Sequence, residues 1–216
     1  AGERFIALAK ENGIKVYNNT YDKAPIKTKD WSSYISKIKA SGADGVYMAF
    51  ITNVIPVFAK QAADFGLQNT VKLVSAAAPG PLELEAGGEA CYGIFGASDW
   101  SWDVNTPVSD DWEMRFWKKF NTIPSDAAVH SYVGAMNLFN AIEKAGNTDA
   151  KDIAAALRGM SYDGPYGTVR ISATDNCMRN DAVLTETMAA PDNPFGAKVY
   201  MKVLKTFTAE ELGPKE

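Results

Sequence analysis

Between residues 14 and 98 the sequence alternates short apolar runs with amphipathic stretches of about helix length, and this alternation limits the possible folds more than any other feature. Strand-like runs occur at Ile14–Asn18, at GVYMAF from Gly45, at VKLVSA from Val71 and at YGIFGAS from Tyr92. Between them, Trp31, Tyr34, Ile35 and Ile38 fall at i, i+3, i+4 and i+7, which is one face of a helix. Val54, Val57, Phe58, Ala62 and Phe65 make a second such face. Gly13, Gly42 and Gly66 stand where each helical pattern stops, because a left-handed terminal residue costs glycine nothing. Strands separated by helices predict crossover connections and a parallel sheet covered on both faces. The nearly unbroken apolar character of the strands agrees with burial on both sides. The Pro/Gly-rich stretch PGPLELEAGG reads as a turn.

The chain opens on a helical pattern, Ala1 to Asn12, without an initiating Met and without a strand before it. A crossover helix should follow the strand it connects. The expectation is therefore a truncated or processed chain whose sheet lacks its leading strand. The alternation ends after Trp100, where SDWSWDVNTPVSDDW crosses into different texture. Helices are predicted at Asp110–Asn121 with Ser109 as cap, at Asp126–Ala145, and at Asp149–Arg158. On the longest, Val129, Tyr132, Val133, Met136, Phe139 and Ile142 are expected to face inward. Strands follow at 166–171, 182–188 and 197–207, the last two able to pair antiparallel, and a polar tail closes the sequence.

Catalytic signatures are scarce. His130 is the single histidine and has no Cys or second His at ligand spacing, so it reads as an ordinary helical residue and no metal site is expected. No Gly-x-Gly-x-x-Gly or Walker motif follows a strand, which leaves nucleotide phosphates without a cradle, and no cofactor is expected. Ser36-x-x-Lys39 lies on an amphipathic face without companion motifs. Glu83 and Glu85 sit in the turn-like stretch. A net charge of −4 with scattered Lys and Arg is unsuited to nucleic acid. Cys91 and Cys177 are expected to be two free, buried thiols. Binding is therefore favoured over catalysis. In an open α/β sheet, ligands dock outside the carboxyl ends of the strands. Those ends are Asn18-Asn19, Phe50, Ile51, Thr52 and Asn53, Ser75 to Ala78, and Ser98 to Trp100. They combine aromatic faces with a few hydroxyls, an amide and free backbone N–H groups, which suits a small organic molecule.

The blocks SGADGVYMAF…FAKQAADFGL, GGEACYGIFGASDW, HSYVGAMNLFNAIEKAG, IAAALRG and GPYGTVRIS, in this order, resemble a type I periplasmic substrate-binding protein of ABC importers. The likeness is greatest to the group that binds branched-chain amino acids, amides and aromatic acids. The resemblance implies a two-lobed, hinge-linked α/β fold, with a doubly wound parallel sheet lobe and part of a second lobe. It further implies that this chain is the family's C-terminal two-thirds, with about 150 N-terminal residues, roughly one domain's length, absent. Residues 1–99 would form the C-lobe, 100–104 the hinge crossing, 105–172 the helical part of the N-lobe, 173–207 the hinge return and terminal strands, and 208–216 a tail. Carried over by position, the ligand contacts fall on Phe50, Ile51 and Thr52, on Ala76 and Ala77, and on Trp100. Amino-acid binders of the family usually place an acid at the position of Ala77 and often an aromatic at that of Ile51. An aromatic carboxylate or an amide therefore suits this apolar set better than an α-amino acid, whose ammonium would lack a partner.

The function so implied is an extracytoplasmic receptor that delivers a small ligand to an ABC importer by hinge closure. It would be periplasmic, or lipid-anchored outside a Gram-positive cell. Its partners would be the ligand, the permease subunits and the missing N-terminal segment, with the membrane met only through the permease. The alternative is the ligand-sensing domain of a receptor or regulator of the same architecture.

Overall fold

A computed structural model describes residues 2–50 and 52–213. The first helix, α1 (Gly2–Glu11), ends before Gly13, whose φ of 71° is left-handed as the stop signal requires. The strand expected at 14–18 does not form. The chain instead makes a 3-10 turn, Tyr17–Asn19, with Asn18 and Asn19 at φ 52° and 50°. Asparagine tolerates this conformation because its short side chain bonds locally, and a pair of such residues cannot lie in a ladder.

Alternation then proceeds as expected through α2 (Ser32–Ser41), β1 (Gly45–Met48), α3 (Ile55–Asp64) and β2 (Lys72–Ser75). The stretch expected as a turn is a helix, α4 (Pro81–Gly87). Pro81 does not prevent it, because proline in a first helical turn gives up only an N–H that has no partner there. Strand β3 (Ile94–Ser98) follows. The strands β1, β2 and β3 pair in parallel.

Beyond residue 100 come α5 (Pro107–Phe120), α6 (Asp126–Ala145), α7 (Ala150–Leu157), β4 (Ser161–Gly164), β5 (Gly167–Ile171) and the short β6 (Met178–Arg179). Thr106, not Ser109, caps α5: its side chain accepts from the Ser109 N–H, and Pro107 opens the first turn. Ser109 is inside the helix and buried. On α6 the buried residues are Val129, Val133 and Ala141, while Phe139 is 59% exposed. The inward ridge is thus rotated from the one that counting large apolar residues selects. Strands β7 (Ala182–Ala189) and β8 (Val199–Phe207) form an antiparallel hairpin with a bulge at Leu184/Thr185. The tail is not wholly frayed: Thr208 and Glu211 build a capping box that opens α8 (Ala209–Leu212).

Two sheets result. One has five strands in the order β1-β2-β3-β7-β8, and the other is the antiparallel meander β4-β5-β6. The first is mixed rather than purely parallel, since β7 runs antiparallel to β3. This corrects the expectation of a parallel sheet lobe short of its leading strand beside an incomplete second lobe. The five strands are hydrogen-bonded without a break, and each sheet has its own core. Trp31, Ile35, Met48, Phe58, Leu67, Leu73 and Ile94 pack in the first. Trp100, Trp112, Val129, Val133, Tyr166 and Val169 pack in the second. The alternation of the first hundred residues could not reveal the pairing of β7 with β3, which joins residues some ninety positions apart.

The crossing between the two is pinned. Ser101 Oγ donates to the Met201 carbonyl at 2.7 Å, and the Val203 N–H donates to Asp103 Oδ2 at 2.8 Å. Trp102 packs its ring on Phe195 and Tyr200.

Candidate functional site

Parallel pairing puts the carboxyl ends of β1, β2 and β3 on one edge of the sheet. The loops there are tied to each other through the backbone. The Ala76 N–H donates to the Met48 carbonyl at 2.9 Å, and the Ala78 N–H to the Ala97 carbonyl at 2.8 Å. The second contact needs Gly96 in β3, because a Cβ there would lie 2.6 Å from Ala78 Cα. The sequence thus lays the segment after β2 directly on the neighbouring strand.

This edge gathers part of the expected site. Ala76 and Ala77 are exposed. Phe50 is half-buried, with its ring 4.9 Å from that of Trp31 and 5.2 Å from that of Phe58, so it forms a floor continuous with the core. Asn53 is exposed, in the 3-10 turn that begins at Thr52. Ile51 lies outside the described residues. Trp100 stands apart from the others. It is 2% exposed, its indole Nε1 donates to Ser109 Oγ at 2.8 Å, and its ring meets Trp112 edge-on. Its ring therefore belongs to the second core. Beneath the edge, at the end of β2, the buried hydroxyl of Ser75 has no hydrogen-bond partner among the described residues.

The structure adds residues that the sequence reading passed over. Asp99 follows β3, and its carboxylate takes a 2.8 Å contact from His130 Nε2 on α6. The imidazole in turn lies 5.4 Å from the Tyr166 ring in the β4–β5 turn. The end of β3, α6 and the β4–β5 turn therefore meet through these three side chains. Tyr166 is 4% exposed and its hydroxyl has no partner. Burial pushes that phenol upward, and the nearby Asp99, Asp126 and Tyr162 add to the shift. An acid immediately after a strand in the binding-edge position, in a chain with one histidine, was the available signal. It went unread because 31 residues separate the partners.

Two hollows lie nearby. One, of about 240 Å³, is lined by Asp99, Arg179, Asn180, Ala182 and residues of the 209–213 segment. The other, of about 420 Å³, lies among α6, α7 and β5. Neither is lined by Phe50, Asn53, Ala76, Ala77 or Trp100. Among the described residues, no group of three or more His, Cys, Asp or Glu could hold a metal ion. No described helix is long and apolar enough to cross a membrane. Both cysteines are free, as expected, but only Cys91 is buried, and its thiol is pushed up to about 11 by that burial.

Two α/β units joined by pinned crossings, with strand ends and loops converging at the junction, define a two-lobed binding scaffold. The family description "Periplasmic binding protein" matches residues 1–192, and the chain belongs to that family. Among curated relatives, "Leu/Ile/Val-binding protein homolog 6" of Brucella abortus is 28% identical over 193 residues, covering 85% of this chain and 47% of that protein. Among solved structures, the closed leucine-, isoleucine-, valine-, threonine- and alanine-binding protein of Brucella ovis aligns with a TM-score of 0.83 at 23% identity. That alignment covers 97% of this chain and 54% of that one. A solute-binding protein of an ABC transporter from R. palustris, solved with 4-hydroxybenzoate, aligns with a TM-score of 0.80 at 24% identity, covering 94% and 55%. At such identities the two structures establish likeness of fold.

The chain spans about half the length of the curated relatives it matches. The family model matches residues 1–192 and both sheets are present, which overturns the assignment of this chain to the family's C-terminal two-thirds. A missing N-terminal segment is accordingly withdrawn from its partners. A helix-first alternation tells which elements are neighbours. It does not tell which part of a family a chain represents.

Proposed function

We propose that the protein is a solute receptor of an ABC importer and holds a small organic ligand at the carboxyl edge of β1, β2 and β3. The ligand is an aromatic carboxylate, an amide or a branched-chain amino acid-like molecule. The observation that carries this reading is the pairing of an exposed, uncharged surface at Ala76 and Ala77 with a buried, partnerless hydroxyl at Ser75. An apolar wall with a sparse polar anchor is what small-molecule sites provide. The Phe50 ring supplies a floor, and Asn53 an amide at the rim. The names of the Brucella relatives support an aliphatic amino acid, and the R. palustris complex supports a benzoate.

In this reading residues 1–99 with 173–207 act as one lobe and 105–172 as the other. The crossing at 100–104 serves as hinge, and the closed form is what the permease subunits recognise. Closure can shift an equilibrium only by the ligand's preference for the closed state. Asp99 and His130 face each other where the lobes meet, so a ligand at the β3 end would feel their arrangement.

Isothermal titration with 4-hydroxybenzoate, leucine and an aliphatic amide tests the reading. One of them should bind saturably, and Ala76→Trp, which fills the edge, should weaken it at least tenfold without lowering the melting temperature. Absence of saturable binding by all three, or full affinity in the tryptophan variant, would overturn it.

A further inference from the structure

The hollow of about 420 Å³ lies away from the strand edge, in the second unit. Its walls are Leu157 of α7, Ile171 of β5 and Met178 of β6, and its polar groups are Asn137, Arg158 and Asn176. Asn137 is the anomaly. It stands at i+4 from Val133 and i−4 from Ala141, both fully buried, so it occupies the inward ridge of α6 where helical periodicity calls for an apolar residue. Its Oδ1 is buried and has no hydrogen-bond partner among the described residues. Its Nδ2 reaches only the Met178 sulfur, at 3.8 Å. Asn137 as a whole is half-buried, but a covered amide oxygen left this way costs stability that leucine would not, so its presence asks for a compensating contact.

Arg158 supplies the second observation. Arg115, Arg170 and Arg179 each face a carboxylate. Arg158 has no ion pair among the described residues, and its Nε donates to Asn176 Oδ1 at 3.1 Å. That bond orients the guanidinium at the hollow's rim and leaves its remaining N–H groups without an acceptor among the described residues. Asn176 is itself held at φ 59°, a conformation that asparagine tolerates.

We infer that this hollow is a second ligand site, separate from the strand edge, for a small apolar carboxylate that bears one hydroxyl or N–H group. The carboxylate pairs with the open N–H groups of Arg158, whose planar fork matches it. The hydroxyl or N–H donates to Asn137 Oδ1 once the side chain turns that oxygen toward the hollow. The carbon skeleton covers Leu157, Ile171 and Met178. The volume falls in the range of small-molecule pockets.

The test is methyl NMR of the 216-residue chain titrated with 2-hydroxy-4-methylpentanoate and with 4-hydroxyphenylacetate. At least one should shift the methyl signals of Leu157, Ile171 and Met178 saturably. Its methyl ester should bind roughly tenfold or more weakly, since a charge-assisted bond is lost. Arg158→Gln should weaken the acid by the same factor and leave the ester unchanged. Asn137→Leu should abolish the advantage of the hydroxy acid over its deoxy analogue, and should melt no lower because an orphaned amide is replaced by an apolar group. The methyl signals of Ala76 and Ala77 report on the strand edge alone, so a shift there counts for the strand-edge site and not for this one. No saturable shift at the three pocket residues up to tens of millimolar, or equal affinity in Arg158→Gln, would overturn the inference. Either result leaves the strand-edge proposal untouched.

Discussion

The two cores of this protein solve burial differently. The first, under β1, β2 and β3, is filled by aliphatic and aromatic side chains, and its partnerless polar atoms are an indole N–H on Trp31 and two hydroxyls on Ser75 and Thr187. The second unit holds a carboxyl oxygen on Glu113, an amide oxygen on Asn137 and a phenol on Tyr166, each without a partner among the described residues. Partnerless neutral hydroxyls are modest liabilities. A carboxyl and an amide in the same state are larger ones, because their desolvation is greater. The contrast teaches that the first unit is built chiefly for packing, while the second carries polar groups at a cost to its stability.

The comparison can be broken most sharply in the first core. Phe58 is 2% exposed and meets both Trp31 and Phe50. Phe58→Ala should cost about 3–5 kcal/mol, read as a lowered denaturant midpoint. Because Trp31 reports on this core, its fluorescence should change earlier in denaturant than near-UV signals from Trp112. Simultaneous loss of both signals would show that the two cores unfold as one.

A smaller effect of opposite sign is expected in the second core. Burial, aided by Asp110, pushes the Glu113 carboxyl up to about 8. The folded state therefore keeps this proton at pH values where the unfolded chain has released it. Stability is full below the ordinary carboxylic range and falls as pH rises from there toward about 8. Glu113→Gln should flatten that fall and stabilise the protein at pH 8 by on the order of 2 kcal/mol. Melting temperatures of both proteins from pH 5 to 8 would check this. A variant as pH-dependent as the parent would remove Glu113 from the account.

The smallest effect belongs where the two units meet. Asp99 and His130 are each 42% exposed, so water screens their contact. Asp99→Asn should cost under about 1 kcal/mol, and less at high salt. A larger, salt-independent loss would mean that this contact sets how the units are joined.

Much of the architecture was legible because local signals agreed with tertiary demand. The glycine stops after α1 and α2, the helical face of Trp31 and Ile35, and the β7–β8 hairpin are set by short-range sterics and periodicity. The segment Pro81–Gly87 was misjudged because proline and glycine mark turns in general, yet proline also opens helices. Residues 14–18 were misjudged because a short apolar run becomes a strand only if a neighbour offers a ladder. Phe50, Ala76 and Ala77 could be placed at the carboxyl edge of the sheet by topology, since parallel strands must end together. Trp100 could not be placed the same way. Its aromatic ring could have faced a ligand or a core, and packing against Trp112 with a hydrogen bond to Ser109 settled which.

The sequence by itself determined where most of the helices and strands lie, that the sheet would contain parallel neighbours, and that the loops after β1 and β2 would carry little charge. Those properties follow from the period of the chain and the sterics of single residues. Only the tertiary structure decided that β7 would close the sheet beside β3, that Asp99 would meet His130, and that Asn137 would face a hollow beside an unpaired arginine. Each depends on contacts between residues distant in sequence. Such contacts form only when the whole buried surface offsets the entropy of bringing them together.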